Sequence, residues 1–207
     1  MMLDVGEMLL AAEREAQALR RAGERPWQYE LPVDHLGFAV PPAGLVPALN
    51  AWRILGYLVA ERDLVTGQKA WATMLRLGGH PDSPGPGLEL VMPALELESP
   101  EAAAAFEAGE SAPGLSAIAQ YLVRYRPGMH HLAFAVEAGT LCDFRAHLIE
   151  AGVEVIGDDV RPGAFGTTVF FTKPDRGSRE QPGPSVLIEY VDTAGVEAWR
   201  QQHAALV

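Results

Sequence analysis

The chain has 207 residues, enough for one large domain or two small ones, and its 48% hydrophobic and 21% charged content is that of a globular protein with a sizeable core. A net charge of -11, from 16 Lys and Arg against 27 Asp and Glu, argues against nucleic acid or an anionic membrane surface as partner, because both need clustered basic residues. The single cysteine, Cys142, excludes an intrachain disulfide and a Cys-rich zinc site. No apolar run approaches the roughly 20 residues of a membrane span, and Asp4 and Glu7 stand where a secretory signal would be basic, so a cytoplasmic protein is expected.

Residues 1–24 carry Leu3, Met8, Leu9, Ala12, Ala16 and Leu19 at helical spacing, which predicts an N-terminal helical extension over 1–30. A first module is expected over 31–93. It holds a strand at 33–40, a helix at 43–55 ending before Gly56, strands at 57–63 and 68–77, and a last strand around Glu89. Residues 94–127 read as a helical connector, with helices at 100–109 and 115–125. A second module, 128–193, repeats the order: strand at 129–137, helix at 140–151, short strand at 153–156, strand at 165–172, polar loop at 173–185, and a strand around Glu189. A C-terminal helix is expected within 194–207.

The two modules share more than their order. His35-Leu36-Gly37-Phe38-Ala39-Val40 and His131-Leu132-Ala133-Phe134-Ala135-Val136 are nearly the same word, and Gly56 and Gly152 each follow their histidine by 21 residues. Each module closes on an apolar strand with one carboxylate, Glu89 in the first and Glu189 in the second. Alternation along a strand puts His35, Gly37 and Ala39 on one face and His131, Ala133 and Ala135 on the matching face, so small neighbours leave a cavity beside each histidine. A lone strand histidine is usually a hydrogen-bonded core residue, and a lone glutamate usually faces water. Two of each at equivalent positions, with no basic residue in any of the four strands, form instead a nitrogen and oxygen ligand set for one divalent metal: His35, Glu89, His131 and Glu189. Of the adjacent His130 and His131, the second registers with His35.

At these residues the chain resembles the vicinal oxygen chelate superfamily, which includes glyoxalase I, methylmalonyl-CoA epimerase, extradiol dioxygenases and drug resistance proteins. The resemblance runs over about residues 33–192. It is carried by Val33 to Val40, by Gly128-Met129-His130-His131-Leu132-Ala133-Phe134 and by Val186-Leu187-Ile188-Glu189, and Ser116 to Leu122 is similar to the epimerase intermodule helix. It implies an α+β fold of paired βαβββ modules, a cupped mixed sheet around one metal site, and a homodimer. Two departures weigh against methylmalonyl-CoA itself. The epimerase carries a catalytic glutamate on the third strand of its first module, whereas Gln68 to Leu75 holds no carboxylate, and its His-Pro-Lys turn is here Lys173-Pro174-Asp175. The His, Glu, His, Glu set is similar to that of bacterial glyoxalase I, which implies Glu189 or Glu89 as both ligand and catalytic base.

The expected activity is a lyase or isomerase reaction: proton transfer next to a carbonyl, giving glyoxalase-type isomerisation or epimerisation through a metal-stabilised enediolate. The cofactor is one divalent ion among Ni, Co, Zn, Mn and Fe(II), and the partner is a small-molecule substrate. The alternative is an Fe(II) extradiol-type dioxygenase using His35, His131 and Glu189, and a second alternative is a non-catalytic binding or resistance protein. Arg161, Lys173, Arg176 and Arg179 are candidates for an anionic substrate group, weighed against a solvated loop. Trp71, Met74, Phe165 and Phe170 are candidates for cavity walls, weighed against core packing.

Overall fold

The computed structural model describes residues 31–173 and 187–203. The helical extension expected over 1–30 and all but the first residue of the 173–185 loop, including Arg176 and Arg179, lie outside them.

Eight strands form one mixed sheet in the order β2-β3-β4-β1-β5-β8-β7-β6. The first four are β1 (Val33–Ala39), β2 (Tyr57–Val65), β3 (Ala70–Leu77) and β4 (Gly87–Pro93). The second four are β5 (Gly128–Val136), β6 (Val155–Pro162), β7 (Thr168–Thr172) and β8 (Leu187–Asp192). Each half has its first strand parallel to its last, β1 to β4 and β5 to β8, and the halves join where β1 and β5 pair antiparallel. A parallel pair needs a crossover, and α1 (Leu45–Ile54) and α4 (Leu141–Glu150) supply it on the convex side. This is the α+β, paired βαβββ architecture that the resemblance implied, with the strand order read from the repeat.

The convex face carries the large side chains. Leu36, Phe38 and Val40 pack with Leu75, Leu88 and Leu90 under Leu45, Leu49 and Trp52 of α1. In the second half, Leu132, Val136, Phe170 and Tyr190 pack under Phe144 and Leu148 of α4. The connector forms α2 (Pro100–Glu107) and α3 (Ala117–Tyr125), and Ser99 and Ser116 cap them by accepting the amides of Ala102 and Ala119. Ile118 and Leu122 of α3 cover Ala39, Ala70 and Val91 at one end of the concave face. The C-terminal helix α5 (Val196–His203) lies over that face, where Trp199 packs with Ala72, Met74 and Phe165.

Three local expectations are corrected. The strand expected over 153–156 runs Val155–Pro162, because an irregular register between Ile156 and Arg161 absorbs Gly157, Asp158 and Asp159 without ending it. The strand expected over 165–172 begins at Thr168. Phe165 sits in the preceding turn at φ 56°, its amide donating to Asp63 Oδ2 at 2.8 Å, and its phenyl ring is buried against Met74. The strand expected from 68 begins at Ala70, after a turn that ends on Lys69 at φ 48°.

Candidate metal centre

β1 and β4, β5 and β8 bring the four repeated residues to the floor of the concave face. His35, Glu89, His131 and Glu189 are all at most 6% exposed. The two imidazoles meet Nε2 to Nε2 at 2.9 Å. Glu189 Oε2 lies 3.2 Å and 3.3 Å from the Nε2 atoms of His35 and His131, and Glu89 Oε2 lies 3.5 Å and 3.2 Å from the same atoms. His35, His131 and Glu189 form a cluster able to hold a metal ion, every donor atom within 4.8 Å of every other. Glu89 is not in that group, although its Oε2 approaches both imidazoles as closely as that of Glu189.

The donor set fits a cation on two observations. Glu189 Oε2 is buried without a well-formed hydrogen bond, its polar neighbours being the imidazole Nε2 atoms at 3.2 Å and 3.3 Å, and a buried carboxylate oxygen is costly unless positive charge compensates it. Two imidazole nitrogens also point at each other, an arrangement in which one N–H at most can be satisfied by the other ring. Separations near 3 Å between donors at about 2.0–2.2 Å from a common centre are those of N and O ligands around one ion.

Two bulges orient the imidazoles. Between Val33 and His35, β1 advances two residues while β5 advances one, so Asp34 is the extra residue. Its carboxylate then reaches His35 Nδ1 at 2.7 Å. Between His131 and Met129 the surplus falls on β5, so His130 is the extra residue, and its Nδ1 lies 2.9 Å from His131 Nδ1. Each of the two histidines is thus held through Nδ1 by the residue before it, which leaves Nε2 facing the other imidazole and the two carboxylates. The sequence reading missed Asp34 and gave His130 no role. In a regular strand neighbours face opposite ways, so the only sequence signal was the repetition of a polar residue immediately before each histidine. The same bulges carry Val33 and Met129 to the convex core.

The electrostatics follow. Burial works against protonation of His35, but the Glu89 charge, helped by Asp34 and Glu189, outweighs it and holds the pKa well above the ordinary histidine value. Burial opposes the ionisation of Glu89, yet His35 and His131 bring its pKa below the usual carboxylate range. His130 is pushed down to about 3, first by burial and then by His131, so it is neutral and can accept from His131 Nδ1.

The cavity expected beside the histidines is partly filled: a Cβ at Gly37 would lie 2.0 Å from His131 Cε1, so the glycine holds the imidazole itself. The wall candidates divide. Met74 and Phe165 line a concave cavity. Phe170 belongs to the convex core, and Trp71 shares the convex face of β3 with Leu75 while its Nε1 donates to Glu96 at 2.6 Å. The candidate cations divide too. Lys173 pairs with exposed Glu154 at 3.0 Å. Arg161 stacks over Phe171, whose ring stands against His131. On the concave face of β3 stand Ala70, Ala72, Met74 and Arg76, and no carboxylate. Among the described residues no helix is long and apolar enough to cross a membrane.

The paired βαβββ sheet is the vicinal oxygen chelate fold. Solved structures with this fold include methylmalonyl-CoA epimerases. The Mycobacterium tuberculosis epimerase superposes with TM-score 0.59 and 23% identity, over 84% of this chain and 97% of its own. A Streptomyces coelicolor epimerase variant in complex with 2-nitronate-propionyl-CoA gives 0.56 and 23%, over 80% and 100%. An epimerase in complex with methylmalonyl-CoA and NH4+ gives 0.56 and 23%, over 80% and 96%. No family model and no curated protein matches the chain.

Proposed function

We propose that this chain is a divalent-metal-dependent enzyme moving a proton next to a carbonyl of a small-molecule substrate, by glyoxalase-type isomerisation or epimerisation. The observation that carries the reading is the convergence of His35, His131, Glu89 and Glu189 on one buried point, where two imidazole Nε2 atoms and two carboxylate oxygens lie within 3.5 Å of one another across each histidine–glutamate pair. His35 and His131 hold the ion through Nε2, steered by Asp34 and His130. Glu89 and Glu189 would complete the set. The bound ion, one of Ni, Co, Zn, Mn or Fe(II), supplies positive charge against the negative charge that develops on the substrate oxygens.

Glu189 takes the carbon-bound proton on its carboxylate and returns it. The choice among nearby carboxylates follows from their partners. Asp34 is held by His35, Glu61 by Arg200 at 2.6 Å, and Asp63 by the Phe165 amide. Glu89 is the second candidate base. A homodimer belongs to this proposal, and light scattering should return twice the chain mass.

Metal content of purified protein, beside a His131→Ala, Glu189→Ala double variant, tests the site. The expected result is about one equivalent of ion in the wild type and none in the variant. No metal in the reconstituted wild type sinks the reading. Glu189→Gln should abolish turnover of hemithioacetals or acyl-CoA epimers while part of the metal stays bound, and undiminished turnover removes Glu189 as the base.

A second reading has an observation of its own. His35, His131 and Glu189 by themselves make a group of two histidines and one carboxylate that could hold an ion. That is the donor set of Fe(II) oxygenases. Iron as the bound metal and O₂ uptake with a catechol would place dioxygenase chemistry first.

A further inference from the structure

A cavity of about 340 Å³ lies between the concave face and α5, with Asp34, Met74, Arg76, Phe165, Thr193 and Arg200 in its wall. None of the four donor residues lines it, and it approaches them through two wall residues: Asp34 is bonded to His35, and Met74 stands opposite Glu89 in the β3–β4 register. Its two cations differ. Arg200 is engaged with Glu61 at 2.6 Å and Asp82 at 3.0 Å. Among the described residues Arg76 forms no ion pair within 4.0 Å, although its charge is felt by Asp34 in the same wall; its Nη1 donates to the Gly85 carbonyl at 3.1 Å, and its Nε is buried without an acceptor. A buried N–H without an acceptor is unfavourable, and it marks a guanidinium that the fold leaves incompletely partnered.

The position of Arg76 is built. Gly87 pairs with His35 across β1 and β4. A Cβ at Gly87 would lie 2.6 Å from Met74 Sδ and 3.0 Å from Arg76 Cζ, so the missing side chain is what lets the guanidinium lie over the neighbour of a ligand strand. A guanidinium presents a planar fork that matches a carboxylate.

We infer that Arg76 anchors the carboxylate of the substrate in this cavity, while the substrate's carbonyl oxygen meets the donor set. The inference rests on the proposed metal site and names its substrate class, a small monocarboxylic acid with a carbonyl near the carboxylate. Asp34 and Glu197 in the same wall oppose a second anionic group. The volume sits at the low end of the roughly 300–1,000 Å³ of small-molecule pockets, which suits a compact acid. Arg161 is the rival cation, but it stacks on Phe171 and does not line this cavity.

The test is calorimetric titration of the full chain, metal-loaded and chelator-stripped, with pyruvate and with uncharged pyruvamide as probes. Pyruvate should bind Arg76→Met at least tenfold more weakly than wild type in both forms, with metal content and Tm retained. Arg76→Lys, which keeps the charge and loses the fork, should fall between, and pyruvamide should bind all proteins weakly. Equal pyruvate affinity in wild type and in both Arg76 variants overturns the inference, as does a loss confined to Arg161→Met or no binding to wild type. If no metal loads but stripped protein still shows the Arg76 dependence, the metal reading fails and the anchor stands.

Discussion

Gly37 shows how one missing atom makes the centre possible. A Cβ there would come within 2.1 Å of His131 Nε2, so Gly37→Ala must expel the imidazole from the donor set. Metal affinity should fall by at least the about 10–100-fold seen when a ligand's support is lost, with strand content by circular dichroism retained; full metal loading of the variant would contradict the geometry. His35 adds a pH dependence. Without metal its pKa is raised well above the ordinary value, chiefly by Glu89 against the opposing effect of burial, so at neutral pH it carries a proton that a metal must displace. In the metal-free protein this charged pair stabilises the fold fully below the unfolded histidine pKa of about 6.5, and the contribution is lost as pH rises through the raised value. Metal affinity should therefore rise with pH, and calorimetry in two buffers of different ionisation heat should record proton release. Identical heats in both buffers would mean that His35 is neutral before the metal arrives.

At the scale of elements, the connector is tied to the first module through Glu98. Its carboxylate accepts Lys69 Nζ at 2.9 Å and the Ser116 amide at 2.7 Å, fixing the N-terminus of α3 beside the turn that ends β2. Burial works against the charge, but Lys69 and Ser116 prevail and the pKa is lowered. A lowered carboxylate pKa means that the contribution is present above the unfolded value of about 4.3 and is lost as pH falls through the folded one. Glu98→Gln should cost about 1–2 kcal/mol at pH 7, a Tm loss of a few degrees. The gap to wild type should narrow as pH falls from 5 to 3, and a gap independent of pH would assign the loss to shape instead of charge.

Across the whole molecule, α5 closes the concave face from the far end of the chain. Trp199 stands edge-on to Phe165 with centroids 5.4 Å apart, and Arg200 reaches back 139 residues to Glu61, which is 7% exposed. Removing one partner of a buried pair leaves the other charge uncompensated. Arg200→Met should destabilise by about 2–3 kcal/mol, and Glu61→Gln in the same chain should recover part of it. Chemical denaturation reads both, and no recovery in the double variant would show that the pair is not coupled.

The repeat alone determined the two modules, the strand that carries each candidate ligand, and the choice of His131 over His130. These are local facts: period-two alternation, helices ending at glycine, and a word that occurs twice. What it could not determine were the things that depend on one strand lying beside another. The bulges that turn Asp34 and His130 toward the ligand imidazoles exist only where β1 and β5 meet out of step. The Arg200–Glu61 pair joins residues that no spacing rule relates, and Phe165 leaves its expected strand because its ring has a burial site against Met74 and Trp199. Arg76 was passed over because a lone arginine on a strand carries no signal; its place follows from Gly87, whose absent side chain gives it room beside His35. Tertiary structure decided these because register and close approach are set by packing across strands, and packing has no period along the chain.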